Sequence, residues 1–290
     1  MSGIKLLDGA MGSELIRHGQ NLPLHIWSAE SNITNSQLVY QIHQKYVEAG
    51  ADYLTTNTFR TTPRAYKKTG LSSKRAEQLS LESLKLAVQS AKKASKGKIR
   101  VLGSIAPLED CYSPELFPGE IIAKEEFEQM GKWLFDEKID GFLLETMNSL
   151  VEARICLKSL VKFDIPIWIG FNLLDSSHIR SGETLIDAIK MVKQFAVSCL
   201  LLNCNPIHRT IESADILANN WSKQWGIYPN LGVGEPSPDG VIKDHHSEKE
   251  FLNMVHKAIK LGACVIGGCC GSNPNHIRLL KNELDLAKSL

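Results

Sequence analysis

Eight short runs of β-type residues recur along the chain, each followed by a longer stretch with helical periodicity. The runs are Lys5 to Leu7, Tyr53 to Thr56, Val101 to Ile105, Phe142 to Glu145, Ile167 to Phe171, Leu200 to Asn203, Ile227 to Leu231 and Ala263 to Ile266. Strands alternating with helices of this length build repeated βαβ units on a parallel sheet. Eight units is the number at which such a sheet closes on itself. The pattern therefore predicts an α/β fold, a (β/α)8 TIM barrel forming a single domain over residues 1–290. An open doubly wound sheet shares the alternation, but no Gly-x-Gly-x-x-Gly follows the first run.

The helices are legible from their apolar stripes and their ends. One starts near Asn35 or Ser36, carries Val39, Ile42, Tyr46 and Val47 on one side, and stops at Gly50. Another spans about Ala76 to Ala94 with lysines near its C-terminus, where the helix dipole favours them. Further helices are expected near 125–136, 150–159, 184–195, 210–221, 249–260 and 274–286. The last is introduced by Asn273 as cap and Pro274 at the first helical position. Helix-to-strand junctions are short, as in Ala49-Gly50-Ala51-Asp52 and Leu261-Gly262-Ala263-Cys264. Several strand-to-helix connections are long, above all Ala106 to Gly119. That asymmetry puts the elaboration on the C-terminal face of the barrel, where this architecture binds ligands.

Lysine and arginine total 33 against 32 acidic residues, so no basic field is offered to a phosphate backbone and no nucleic-acid partner is expected. The apolar run at Ile4 to Leu7 is too short for a secretory segment, and no stretch reaches the length of a membrane span. The expectation is a soluble, cytoplasmic protein with no membrane partner. The 7 cysteines form no even disulfide framework. Cys156, Cys199 and Cys264 read as small buried residues.

Of the other four, Cys111 lies in the Ala106 to Gly119 connection and the remaining three stand at strand ends. Cys204 closes the sixth run in Asn203-Cys204-Asn205-Pro206, and Cys269 and Cys270 close the eighth in Gly267-Gly268-Cys269-Cys270-Gly271. In a closed barrel both ends face one mouth, so three thiols can converge. Adjacent strand residues point to opposite faces, and the flanking glycines supply the departure from β geometry that two neighbouring ligands need. Three thiolates suit zinc or copper(I), and three protein ligands leave a fourth position open, the mark of a catalytic site. Two other readings stand beside it: buried small residues in a glycine-rich loop, and a redox pair, for which the usual Cys-x-x-Cys spacing is absent.

Asp8-Gly9-Ala10-Met11-Gly12-Ser13-Glu14, Thr56-Asn57-Thr58-Phe59, Asn203-Cys204 and Gly267-Gly268-Cys269-Cys270-Gly271 resemble, in order and spacing, the successive motifs of the homocysteine S-methyltransferase family. The resemblance runs across essentially the whole chain. It implies a Zn2+ ion held by Cys204, Cys269 and Cys270, with homocysteine as acceptor. It also implies that Asp8 and Glu145 help hold the amino group of homocysteine, a task suited to carboxylates because an ammonium needs charged acceptors. Asp8 also reads as a turn former before Gly9, and Glu145 as an acid at a helix start. Asn57 either orients substrate or caps its loop.

Three departures from the family bear on the methyl donor: Arg60 after Asn57-Thr58-Phe59, the fifth-strand segment Gly170 to Asp175 without a lysine, and Asn205-Pro206-Ile207-His208 after Cys204. A chain of this size has no room for folate and cobalamin modules. Its end at Leu290 lacks the C-terminal structure that betaine users carry in the family. The expected donor is a small sulfonium, S-methylmethionine ahead of S-adenosylmethionine, with Arg60 at the mouth pairing with an amino-acid carboxylate. The alternatives are a betaine- or cobalamin-linked methyltransferase, a thiol-redox or lyase barrel, and a zinc-binding docking subunit. Asp244-His245-His246 reads as a solvated cap region, and Trp133, Trp168, Trp221 and Trp225 as packing residues.

Overall fold

The computed structural model describes residues 3–233 and 240–286. From the N-terminus the elements are β1 (Lys5–Leu6), α1 (Met11–Arg17), α2 (Ala29–Thr34), α3 (Ser36–Glu48), β2 (Tyr53–Thr55), α4 (Pro63–Lys67), α5 (Ser73–Ser95), β3 (Arg100–Ile105), α6 (Glu120–Asp136), β4 (Gly141–Met147) and α7 (Leu150–Leu160). Then come β5 (Ile167–Phe171), α8 (Leu185–Val192), β6 (Val197–Pro206), α9 (Ile207–Asn220), β7 (Gln224–Asn230), α10 (Glu248–Lys260), β8 (Val265–Ile266) and α11 (Pro274–Leu286). All eight predicted strands are present, every pairing is parallel, and the order around the sheet is β1-β8-β7-β6-β5-β4-β3-β2. A parallel bridge from Leu7 to Tyr53 closes the seam between β1 and β2. The backbone N–H of Asp52 donating to Leu6 and that of Asp8 to Tyr53 reinforce it. The fold is the (β/α)8 TIM barrel.

Strand alternation sorts the apolar residues into two layers. Leu7, Leu102, Leu143, Trp168, Leu201, Tyr228 and Val265 point inward and pack together as the barrel's plug, with the Tyr53 ring tilted against that of Trp168 at a centroid distance of 4.6 Å. Their neighbours Leu144, Leu200, Leu202, Ile227 and Ile266 point outward and join the helices in the larger core. Filling the interior leaves the C-terminal mouth as the place for a ligand.

The expected boundaries hold where local chemistry is strong. Gly50 and Gly262 take φ of 100° and 103° and end α3 and α10. Asn273 Oδ1 accepts from the N–H groups of Asn275 and His276 at the start of α11. Ser247 and Glu250 form a reciprocal capping box on α10. Asn35 stands at the N-cap of α3 without a side-chain bond. Helices α1, α2 and α4 lie within connections read as loops; all three are too short to show a periodic stripe.

Gly226 in β7 marks where the barrel is tightest: a Cβ there would lie 2.0 Å from the Val265 carbonyl oxygen of β8. Gly226→Ala must force β7 from β8, and we expect a loss of about 3 kcal/mol of stability, read as a lowered urea midpoint. An unchanged midpoint would show that the strand pair can spread at no cost.

Candidate metal centre and active-site cavity

Two strands lose their regular register at the mouth. The β4–β5 pairing shifts between Leu144 and Met147, and the β6–β7 pairing between Asn203 and Pro206. Thr146 and Cys204 take positive φ of 51° and 54° at these points. Such irregularities re-aim side chains at strand ends, and here they sit at Glu145 and Cys204. The Asn203 Oδ1 accepts from the Thr146 N–H at 3.0 Å and ties the two distortions together. Gly170 of β5 lets Asn203 in, since a Cβ at 170 would meet Oδ1 at 2.4 Å.

The three predicted cysteines converge. Their sulfur atoms lie within 4.8 Å of one another, with Cys204 Sγ 3.4 Å from Cys270 Sγ. Tetrahedral zinc–thiolate geometry at 2.3 Å requires sulfurs about 3.8 Å apart, so small adjustments suffice. Among the described residues it is the one such group; His245 and His246 are not part of it. Hydrogen bonds from Cys204 and Cys269 hold the Cys270 thiol well below its ordinary range, while hydrogen bonds with Cys204 and Cys270, and burial, push Cys269 up. Three sulfurs this close form a donor set from which a bound cation would displace the thiol protons. Cys156 and Cys199 are buried away from the centre and Cys264 is half-buried, packing residues as expected.

The sulfurs open onto a cavity of about 620 Å³, whose lining includes Asp8, Asn57, Arg60 and Glu145. Burial pushes the Asp8 carboxyl up to about 8 against the opposing N–H of Thr55, which donates to Oδ2 at 2.8 Å. Burial likewise pushes Glu145 up to about 7, with the Ser104 hydroxyl donating to it. Asn57 lines the cavity, but its amide is committed inward: Oδ1 accepts from Ser28, and Nδ2 donates to the Ser28 carbonyl and to Asn32 Oδ1. Its geometry is that of a loop anchor. Arg60 is half-buried, and its Nη1 donates to the carbonyls of Pro107 and Glu109 at 3.1 and 2.6 Å. Among the described residues none takes its Nε or Nη2.

Other cavity residues carry no sequence motif. Tyr112, from the long connection after β3, places its hydroxyl 3.8 Å from Cys204 Sγ, and the Arg180 guanidinium covers its ring at 4.9 Å. Cys111 and Trp27 also line the space. Tyr228 brings a buried hydroxyl that has no close hydrogen-bond partner among the described residues, yet stands near enough to Glu145 to oppose the rise of its carboxyl. For Trp27, Cys111 and Tyr112 the connection lengths were the signal, since their positions depend on loop paths, whereas Tyr228 belongs to β7.

A closed barrel with three convergent thiols able to hold a metal ion, beside the buried Asp8 and half-buried Glu145 carboxyls, fits a class of barrel enzymes with a cysteine-lined mouth. The homocysteine S-methyltransferase family profile matches residues 5–284. Homocysteine S-methyltransferase 3 of Zea mays is 29% identical, covering 98% of this chain and 90% of its own length. Homocysteine S-methyltransferase YbgG of Bacillus subtilis is 27% identical, over 94% and 92%. The metallated form of the homocysteine methyltransferase MmuM from Escherichia coli superposes with a TM-score of 0.83 at 25% identity, covering 97% of this chain and 96% of that one. The chain belongs to the homocysteine S-methyltransferase family and is an enzyme of that class. No helix among the described residues is long and apolar enough to cross a membrane.

Proposed function

We propose that the protein, acting as one barrel domain over residues 1–290, transfers a methyl group from a small sulfonium to the sulfur of homocysteine, with zinc held by Cys204, Cys269 and Cys270. The convergence of these three sulfurs beside the carboxyls of Asp8 and Glu145 carries the reading. When bound, zinc would keep the acceptor sulfur deprotonated and nucleophilic. Asp8 and Glu145 take the ammonium of homocysteine and orient its thiol toward the cysteines. Their high proton affinities are those of buried carboxyls, which a neighbouring cation brings down. Asn57 holds the loop beside them through Ser28 and Asn32. With the acceptor fixed, in-line displacement needs no further acid or base, and orientation supplies most of the acceleration.

A volume of about 620 Å³ is far more than homocysteine fills, so both reactants fit together. Trp27 lines it with aromatic surface that takes a positively charged donor, while the rings of Phe59 and Tyr112 already carry Arg60 and Arg180. Arg60 keeps two nitrogens for the donor's carboxylate. S-methylmethionine meets these requirements with the least additional structure. The test supplies zinc-loaded protein and homocysteine with S-methylmethionine, S-adenosylmethionine, betaine or methylcobalamin in turn, and measures methionine by mass. Turnover should be fastest with S-methylmethionine and fall at least tenfold in Arg60→Met. Turnover with betaine alone overturns the sulfonium assignment, and a faster reaction with S-adenosylmethionine reverses the order of the two.

A further inference from the structure

Cys269 and Cys270 lie beyond the end of a strand two residues long, in a turn whose glycines give it little intrinsic rigidity. What holds the turn comes from the other end of the chain. Ser13 Oγ accepts from the Gly271 N–H at 2.9 Å. Arg17 forks across the next two carbonyls, Nη1 to Ser272 at 2.8 Å and Nη2 to Gly271 at 2.5 Å. The buried Glu14 carboxylate pairs with the same Nη1, fixing the plane of the guanidinium. Ser272 is bonded on both sides, its hydroxyl accepting from the Ala10 N–H and its own N–H donating to the Cys269 carbonyl. Two residues of helix α1, Ser13 and Arg17, thus bond three backbone groups of the cysteine turn, and neither belongs to the cysteine cluster.

We infer that Arg17, locked by Glu14 and backed by Ser13, is a positioning residue that sets where the Cys269 and Cys270 sulfurs stand relative to Cys204. The inference rests on the proposed metal role of these cysteines for its consequence, though not for its geometry. A planar fork with a fixed partner specifies two carbonyl positions at once, which a lysine cannot do. Outer groups that orient ligands in this way are worth about 10- to 100-fold in metal affinity. The same element leads out of Asp8 through Gly9, where a Cβ would strike Ser272 Oγ at 2.6 Å. The carboxyl proposed for the acceptor's ammonium and the turn carrying two sulfurs are therefore braced against one another.

The experiment compares the native chain with Arg17→Met, Arg17→Lys and Ser13→Ala by two readouts. The first is the zinc dissociation constant by competition with a chromophoric chelator. It should rise about 10- to 100-fold in Arg17→Met, less in Arg17→Lys, and roughly two- to tenfold in Ser13→Ala, which removes one hydrogen bond. The second needs no metal. Oxidised glutathione converts two thiols of the metal-free chain to a disulfide, releasing two glutathione thiols, and peptide mapping follows the Cys204–Cys270 bond. Its rate depends on how the sulfurs are held and should fall several-fold in Arg17→Met. Native zinc affinity and a native disulfide rate in folded Arg17→Met overturn the inference. A native chain that binds no zinc defeats the proposed function, and the disulfide rates still decide the latch. If Arg17→Met does not fold, Ser13→Ala decides it by the same two measurements.

Discussion

Cys204→Gly should lose bound zinc and on the order of a thousandfold or more of the methyl-transfer rate, yet unfold within about 1 kcal/mol of its metal-free parent. The loss has two sources. Removing one of three thiolates weakens zinc by roughly 100- to 1,000-fold, taking each ligand's share of the 10 to 16 kcal/mol typical of four-ligand sites. Without the metal, a thiol of ordinary pKa is only about 3% ionised at pH 7 and is no longer anchored at the donor. The unchanged stability follows from the backbone. Cys204 holds a φ of 54°, a left-handed conformation that costs a residue with a Cβ about 1 to 2 kcal/mol and a glycine almost nothing. That relief offsets the apolar burial lost with the side chain, of about 1 kcal/mol. Metal content by elemental analysis, turnover, and urea unfolding in chelator form the test. Full activity without zinc would falsify the metal assignment. A metal-free variant destabilised by several kcal/mol would mean that the strained turn is favourable for its own sake.

The strained backbone at Cys204 also marks the limit of what the sequence showed. Barrel topology follows from repetition of one local signal, and the three cysteines follow from topology, because all strand ends of a closed parallel barrel face one mouth. Asp8 and Glu145 sit at strand ends for the same reason, and both line the cavity. Side chains delivered by long connections do not obey that geometry. Tyr112 reaches Cys204 from the connection after β3 and Trp27 reaches the cavity from the connection after β1, with no periodicity to place either. Asn57 was ambiguous for a related reason. Its strand end was legible, but its three amide bonds go to Ser28 and Asn32 of a segment whose helix is too short to leave a stripe. The Arg17 fork was invisible too, since its partners are the backbone carbonyls of Gly271 and Ser272, and carbonyls carry no sequence identity.

Glu145→Gln and Asp8→Asn should each raise the homocysteine KM by roughly 30- to 150-fold, corresponding to the 2 to 3 kcal/mol of a buried charge-assisted bond, with zinc content unchanged. The pH dependence separates this role from mere polarity. Burial raises the Asp8 carboxyl from 3.8 to about 8 and that of Glu145 from 4.5 to about 7, so below pH 7 both carry protons that an arriving ammonium must displace. Homocysteine binding should therefore release protons, and KM should fall as pH rises from 6 to 8. Calorimetry in buffers of different ionisation enthalpy counts them, and Glu145→Gln should release about one fewer near pH 6. The thiol adds its own proton in every variant and does not disturb the difference. Stability of the ligand-free chain must run the other way. A group whose pKa is raised on folding binds its proton more tightly in the native state, so its contribution is complete below its unfolded value and is lost as pH rises through the folded one. Urea midpoints should decline from pH 5 to 8, and Asp8→Asn, which cannot ionise, should flatten that decline. The ammonium role is overturned for either residue if its amide variant keeps the native KM and proton count.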